Sequence, residues 1–255
     1  MNTGRTLLAL ETSGKSGSVA VATSCSDGSL SIEQEVLDPE WGSARTLAPA
    51  IAKLLERLQL TPHCLHAISV VQGPGSFTGL RVGAATAKTM AWALGIPLIA
   101  VDALDGIAHQ VAESIALSEF DEPVTLVAVS DAYRGQFFRA SYRWNASGFA
   151  PEEPTGIEDI ESLVERFFRT QERRLVLAGP GLGKLLKWSQ NQGVVLSHRS
   201  VQILQGPESV PMASTVADLG WRRWKRGAIE DVLGFLPRYY RGSAAEEKKK
   251  GNGLS

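Results

Sequence analysis

Two carboxylates stand where an α/β protein keeps its chemistry. Glu11 closes the apolar run from Leu7 to Leu10, and Asp131 closes the run from Pro123 to Ser130, each just before a turn. Carboxylates so placed can hold a metal-bound nucleotide or act in acid–base chemistry. They can also simply accept the N–H groups of the turn that follows, and without a cluster of further polar groups the turn role is the better reading for both. The strongest local signal lies between them. Gly73-Pro74-Gly75-Ser76-Phe77-Thr78-Gly79-Leu80-Arg81-Val82-Gly83 puts a glycine-rich turn between a strand and a helix. Backbone N–H groups at Gly73, Gly75, Ser76, Thr78 and Gly79 could approach a phosphate there, helped by the positive end of the helix. The competing reading is close packing, with Gly79, Gly83, Ala84, Ala87 and Ala91 small so that the helix can press on its neighbours. The pattern slightly favours packing. No Lys-Ser or Lys-Thr follows the loop as a P-loop requires, and the spacing is not a dinucleotide fingerprint. Gly179-Pro180-Gly181-Leu182-Gly183-Lys184 fails the same test, because Leu185 stands where a hydroxyl should hold magnesium.

Other chemistry is poorly supplied. His63, Cys64 and His66 crowd into a connection before an apolar run, which suits loop histidines better than metal ligands. There is no His-x-x-x-His or Cys-x-x-Cys. His109 and His198 have no nucleophile or carboxylate at motif spacing, so no hydrolase triad can be assembled, and the sequence predicts neither catalytic residues nor a metal site.

The net charge is −1 over 255 residues, with 44% hydrophobic and 21% charged. A chain of this size buries a real core. It lacks the basic excess of a protein that holds nucleic acid through many phosphates, so any RNA is expected to be held through a partner. Cys25 and Cys64 are too few for a disulfide framework and fit a reducing compartment, although a single bridge stays open. The first apolar run is too short for a signal peptide or membrane span, and a cytoplasmic location is expected.

The elements that must position these residues recur in two copies. Thr6 to Leu10 and Ser18 to Thr23 flank a Gly/Ser turn as a hairpin, with a third strand over residues 29–37. From Ser43, a plausible N-cap, Leu47, Ile51, Leu54, Leu55 and Leu58 fall at helical spacing. Ala67 to Val71 reads as a strand, the glycine turn opens a second helix through Leu94, Gly95 and Pro97 stop it, and Leu98 to Val101 is a further strand. Later, a strand ending in Asp131 turns into the strand Gln136 to Tyr142, and Arg174 to Ala178 runs into the second Gly-Pro-Gly. Strand, acid, turn, strand, then strand, Gly-Pro-Gly, helix occurs twice. That pattern predicts an α/β fold of the two-lobed actin, sugar-kinase and heat-shock-ATPase (ASKHA) type, with two mixed sheets facing each other. The boundary falls near residues 103–122, giving lobes at 1–110 and 111–242 and a disordered charged tail at 243–255.

Four ordered segments resemble one known family over residues 7–241. Leu8-Ala9-Leu10-Glu11-Thr12-Ser13 is similar to its opening strand and turn, and Gly73 to Gly83 to its most recognisable motif. Asp131-Ala132-Tyr133-Arg134-Gly135-Gln136-Phe137-Phe138 matches its Asp-Ala-x-Arg-Gly segment, and Leu236-Pro237-Arg238-Tyr239-Tyr240-Arg241 its C-terminal Pro-x-Tyr-x-Arg signature. The resemblance is to the TsaB (YeaZ-like) family, glycoprotease-like relatives of TsaD in the synthesis of threonylcarbamoyladenosine in tRNA.

The resemblance implies the two-lobed fold and an accessory role. TsaD-type members carry a His-x-x-x-His metal pair on the first helix; here Ser43-Ala44-Arg45-Thr46-Leu47-Ala48-Pro49 contains no histidine. The chain also departs from TsaB usage at Ser43, often His, and at Glu11, often Asp, which speaks against residual nucleotide chemistry at a vestigial site. What the family implies is a heterodimer with a TsaD-type protein through the first two helices, with Leu47, Ile51, Leu55, Arg81 and Ala84 as interface candidates. The alternative for these apolar side chains is that they fill this chain's own core. A TsaE-type ATPase is implied in a larger complex, tRNA is reached only through that complex, and a homodimer is open to the chain alone. No cofactor is expected, with weak nucleotide binding left open. The alternative function is an active ATP-dependent kinase or phosphohydrolase using Glu11, Asp131 and both glycine loops.

Overall fold

The computed structural model describes residues 4–115, 123–145, 148–169, 174–196, 201–206 and 209–240. The expected tail at 243–255, Arg241 of the C-terminal signature, His198 and residues 116–122 of the expected boundary lie outside them. Among the described residues ten strands form two five-stranded mixed sheets. The first contains β1 (Thr6–Glu11), β2 (Ser18–Ser24), β3 (Leu30–Val36), β4 (Ala67–Gly73) and β5 (Leu98–Asp102) in the order β3-β2-β1-β4-β5. The second contains β6 (Val124–Asp131), β7 (Gln136–Asn145), β8 (Gly148–Asp159), β9 (Arg174–Ala178) and β10 (Val201–Leu204) in the order β10-β9-β6-β7-β8. Read from the other edge, the second sheet repeats the first strand for strand. In both, the first three strands pair antiparallel and the last two join parallel to the first. This is the duplicated two-lobed ASKHA arrangement predicted from the repeated motif.

Helices cover the sheets because β1, β4 and β5 are buried on both faces, as parallel strands require. α1 (Ser43–Arg57) and α2 (Phe77–Leu94) cover one face of the first sheet. α2 stops where its sequence says it should, with Gly95 at φ 64° in the left-handed region that glycine enters without steric cost. α1 starts one residue earlier than a Ser43 cap implies: Gly42, at φ 66° and without a capping side chain, holds the cap position.

The other face of the first sheet is covered by α6 (Ala213–Lys225), which follows the second sheet in sequence and returns to the first. Gly220 makes this possible, because a Cβ there would lie 2.4 Å from Ser69 Cβ on β4. α3 (Ala103–Ser114) packs on β6 and β7 and against α6, so these two helices lie between the sheets. α4 (Ile160–Val164) and α5 (Leu182–Gln192) cover the outer face of the second sheet. Neither β8 nor α6 is predicted from the sequence. β8 is built largely of Gly, Pro and acidic residues, and α6 ends in Trp and Arg on two faces.

Candidate functional site

The glycine loop after β4 is filled by the chain itself. Ser76 caps α2, its Oγ accepting from Gly79 N–H at 3.3 Å. Its own N–H donates to Ser13 O at 2.8 Å. A Cβ at Gly75 would lie 2.4 Å from Ser13 Cβ, at Gly79 2.0 Å from Thr12 O, and at Gly83 2.3 Å from Thr12 Oγ1. Three glycines four residues apart therefore line one side of α2 and its entry, and the turn Thr12–Ser13 lies in the groove they leave. Gly73, at φ 130°, faces Arg238 O, which a Cβ would meet at 2.7 Å. The geometry at these glycines is that of close packing. Thr78 stands exposed on the first turn of α2.

Glu11 organises that turn from below. It is fully buried, and its Oε1 accepts from Ser13 N–H at 2.6 Å and from Ser13 Oγ–H. Its Oε2 and the neighbouring Thr12 Oγ1 are buried without hydrogen-bond partners. Burial pushes the Glu11 carboxyl up from 4.5 to about 7, and the bonds from Ser13 only partly offset it. Glu11 is thus a turn residue with one unspent oxygen.

Asp131, the matching acid of the second sheet, is also a turn residue. It accepts from Tyr133 N–H at 2.7 Å and pairs with Lys184 Nζ at 2.6 Å. Lys184 comes from the second Gly-Pro-Gly segment, whose glycines press on β6: a Cβ at Gly179 would meet Val129 O at 2.1 Å. Among the described residues no hydrogen bond or ion pair joins Glu11 to Asp131. Each acid closes its own lobe's turn.

The C-terminal signature ties these parts together. Glu230 N–H donates to Leu98 O at 2.9 Å, Arg238 N–H to Gln72 O at 2.7 Å, and Tyr240 Oη–H to Asp102 Oδ2 at 3.0 Å. Phe235 is buried in the core of the first sheet, while the Tyr240 ring meets Phe138 of the second at 5.9 Å. Lys88 on α2 donates to Leu233 O at 2.8 Å and Phe235 O at 2.9 Å. Residues 230–240 therefore strap α2 to both sheets. Tyr239 adds a surface cluster in which the Arg81 guanidinium lies 3.8 Å from the Phe77 ring centroid and donates to Tyr239 Oη at 3.2 Å. Asp102, buried and beside Asp105, is held above the usual carboxylate range, by burial first and by that neighbour second.

The interface candidates need correction. Leu47, Ile51, Leu55 and Ala84 are at most 6% exposed and lie in this chain's own core. An amphipathic stripe is spent on the sheet beneath it, so these side chains are not at the surface. Arg81 is exposed. The outward side of the same helices includes Ala48 and Ala52 on α1, beside the exposed Arg45, Pro49 and Glu56, and Ala85, Thr89 and Trp92 on α2, beside Arg81; Trp92 is 69% exposed.

His109 also differs from expectation, since it does have carboxylate partners. Its Nε2 lies 2.9 Å from Asp218 Oδ2 and 3.1 Å from Glu113 Oε1, one turn along α3. The three form the one metal-like group among the described residues. Arg222 Nε bonds the same Asp218 oxygen at 2.8 Å, so the cluster is an ion network joining α3 to α6. His63 and Cys64 sit in a short helical turn, and His66 accepts from Thr6 N–H at 3.2 Å, as loop residues. Cys25 and Cys64 are free. No helix among the described residues is long and apolar enough to cross a membrane.

Comparison with known proteins agrees with this geometry. The family model of TsaD, the tRNA N6-adenosine threonylcarbamoyltransferase, matches residues 42–160. The tRNA threonylcarbamoyladenosine biosynthesis protein TsaB of Bacillus subtilis strain 168 is 30% identical over 204 residues, covering 78% of this chain and 80% of its own. The TsaB protein of Escherichia coli K12 is 24% identical over 96% of this chain and 98% of its own. The solved structure of YeaZ from Pseudomonas aeruginosa superposes with a TM-score of 0.67 at 25% identity, covering 92% of this chain and 99% of that one.

Proposed function

The chain belongs to the TsaB family of tRNA threonylcarbamoyladenosine biosynthesis proteins, and from that premise we propose that it is an accessory subunit that binds a TsaD-type protein and supports threonylcarbamoyl transfer to adenosine beside the anticodon. The observation that carries this reading is the outward face of α1 and α2. Its alanines let another helix approach closely, and Trp92 offers a large apolar anchor of the kind that dominates binding energy at protein interfaces. The helix that presents Trp92 is held on its inner side by the Thr12–Ser13 turn and on its flank by the C-terminal strap. A rigid face loses less freedom on binding than a mobile one.

In this reading the chain performs no chemistry of its own and carries no cofactor. Its effect is to stabilise or orient the catalytic partner in the cytoplasm. A TsaE-type ATPase joins the larger complex, which holds the tRNA, and a homodimer is open to the chain alone. The glycine loops are occupied by packing, Asp131 by its turn and Lys184, and Glu11 by its turn through one of its two oxygens. No hydrogen bond or ion pair among the described residues joins the two acids, which favours the accessory reading over the kinase or phosphohydrolase alternative. Size-exclusion chromatography with light scattering tests the proposal, using the chain, its organism's TsaD-type protein and their mixture. A one-to-one complex is expected. Two unshifted peaks would remove the accessory reading.

A further inference from the structure

A cavity of about 520 Å³ opens between α3, α6 and the far end of the β7–β8 hairpin. It is remote from the glycine loops. Trp144, on its wall, pairs with Val124 at the start of β6, whereas Asp131 lies at that strand's other end, about 23 Å away along an extended strand.

One wall is aromatic. The rings of Tyr142 and Phe149 stack at 5.2 Å with 14° between their planes, and Trp144 lies 6.4 Å from Phe149. The opposite wall is the cationic end of α6. Asp105 fixes both sides, accepting from Tyr142 Oη–H and from Arg223, each at 2.7 Å. Arg222 is spent on Asp218. Arg226, exposed just past the helix end, has no ion pair or side-chain hydrogen bond among the described residues. The Glu113 carboxylate stands 63% exposed on the rim; its Oε1 meets His109 at 3.1 Å and Arg222 at 3.7 Å, which leaves Oε2 without a partner among the described residues.

A flat apolar wall, an unspent guanidinium and a carboxylate acceptor at one opening complement a planar heterocycle that bears N–H donors and an anionic group. An aliphatic anion would leave the rings unused, and an uncharged ring would leave Arg226 unused. We propose that this cavity binds a purine nucleotide, with its base against Trp144 and Phe149, its phosphate toward Arg226, and Glu113 accepting from the base N–H groups. The volume suits a ligand of that size. A free mononucleotide and one unpaired nucleotide of an RNA strand share this chemistry. The inference stands apart from the partner-binding role, since the cavity lies on α3, α6 and the second sheet rather than on α1 and α2.

The test is titration of the full chain at low salt with AMP, GMP, inorganic phosphate and a single-stranded purine RNA pentamer, read by tryptophan quenching and calorimetry. Saturable binding of the nucleotides, and none of phosphate, is expected. Arg226→Glu should weaken it about tenfold, the loss of one charge-assisted contact, and Phe149→Ala by a similar factor through lost stacking. Arg226 is exposed, so Arg226→Glu should melt like the parent and still co-elute with the TsaD-type protein. Tighter binding of the pentamer than of the mononucleotides identifies an RNA strand as the ligand, and equal binding identifies a free nucleotide. Three results overturn the proposal: no saturable nucleotide binding at millimolar concentration, binding unchanged by Arg226→Glu, or phosphate bound as tightly as nucleotide. None of these touches the partner-binding role, which the co-elution measures separately.

Discussion

Gly79 lies so close to Thr12 that a Cβ on Gly79 would stand 2.0 Å from the Thr12 carbonyl oxygen. The oxygen belongs to backbone, and the helix and the strand-end turn that carry the two residues cannot part without disturbing the first sheet. Gly79→Ala is therefore expected to destabilise the protein by about 3 kcal/mol or more, at or beyond the upper end of overpacking costs. Gly106, the fourth residue of α3, has nothing within 4 Å of its Cβ position. Gly106→Ala should stabilise by about 0.5–1 kcal/mol through helix propensity and the unfolded chain. Urea denaturation of the two variants beside the parent checks the opposite signs.

Glu11 makes stability depend on pH in an unusual direction. Its carboxyl is raised from 4.5 to about 7 in the folded protein, so between those values the native state holds a proton that the unfolded chain releases. Stability contributed by Glu11 is complete below pH 4.5, declines as pH rises through that window, and is lost above about pH 7. The full change amounts to about 3 kcal/mol. Glu11→Gln keeps an oxygen to accept from Ser13 and cannot ionise. The difference in unfolding free energy between parent and Glu11→Gln, measured from pH 5 to pH 8, should move steadily in favour of the variant. A constant difference would show that Glu11 does not titrate in this range.

Much of this architecture is legible locally. The hairpin, the glycine-stopped α2 and the two strand-to-glycine units follow from short-range patterns, and their repetition carries the two-lobed fold. The glycine loop is ambiguous in sequence for a physical reason. Absence of a Cβ serves an approaching phosphate and an approaching Thr12 equally well. The stripe Leu47, Ile51, Leu55 is ambiguous likewise, because helical periodicity marks an apolar face without saying whether the sheet beneath or a partner covers it. Long-range relationships leave no local mark: Gly220 against Ser69, His109 beside Asp218, and the strap from Glu230 to Tyr240 join residues that only the completed fold brings together. The same holds for Lys184, whose pairing with Asp131 explains why the second Gly-Pro-Gly segment ends in a cation.

The strap is expected to matter to both lobes. Tyr240 Oη–H donates to Asp102 Oδ2, and Asp102 otherwise receives Leu104 N–H at 2.9 Å and Thr155 Oγ1–H at 3.0 Å. Tyr240→Phe removes one of three donors to a buried carboxylate, at a cost of about 1–3 kcal/mol. Phe235→Ala empties a place in the first core and should cost about 3–5 kcal/mol. Thermal unfolding checks the ranking, and limited proteolysis should cut the strap faster in Phe235→Ala than in Tyr240→Phe.

Trp92 and Leu47 sit on neighbouring helices with opposite exposures, 69% and 1%. If α1 and α2 present the partner face, variants at the two positions must fail in opposite ways. Trp92→Glu should leave the melting temperature nearly unchanged, since surface substitutions cost within about 0.5 kcal/mol. It should weaken binding of the TsaD-type protein by about 2 kcal/mol or more, roughly thirtyfold, because it places a charge where an aromatic anchor is buried. Leu47→Ala should destabilise the fold by about 2–5 kcal/mol. At a temperature where it remains folded, its partner affinity should stay near that of the parent. Calorimetric titration of each folded variant with the partner, alongside its thermal melt, separates the two effects. Full affinity in Trp92→Glu would move the partner face off α2.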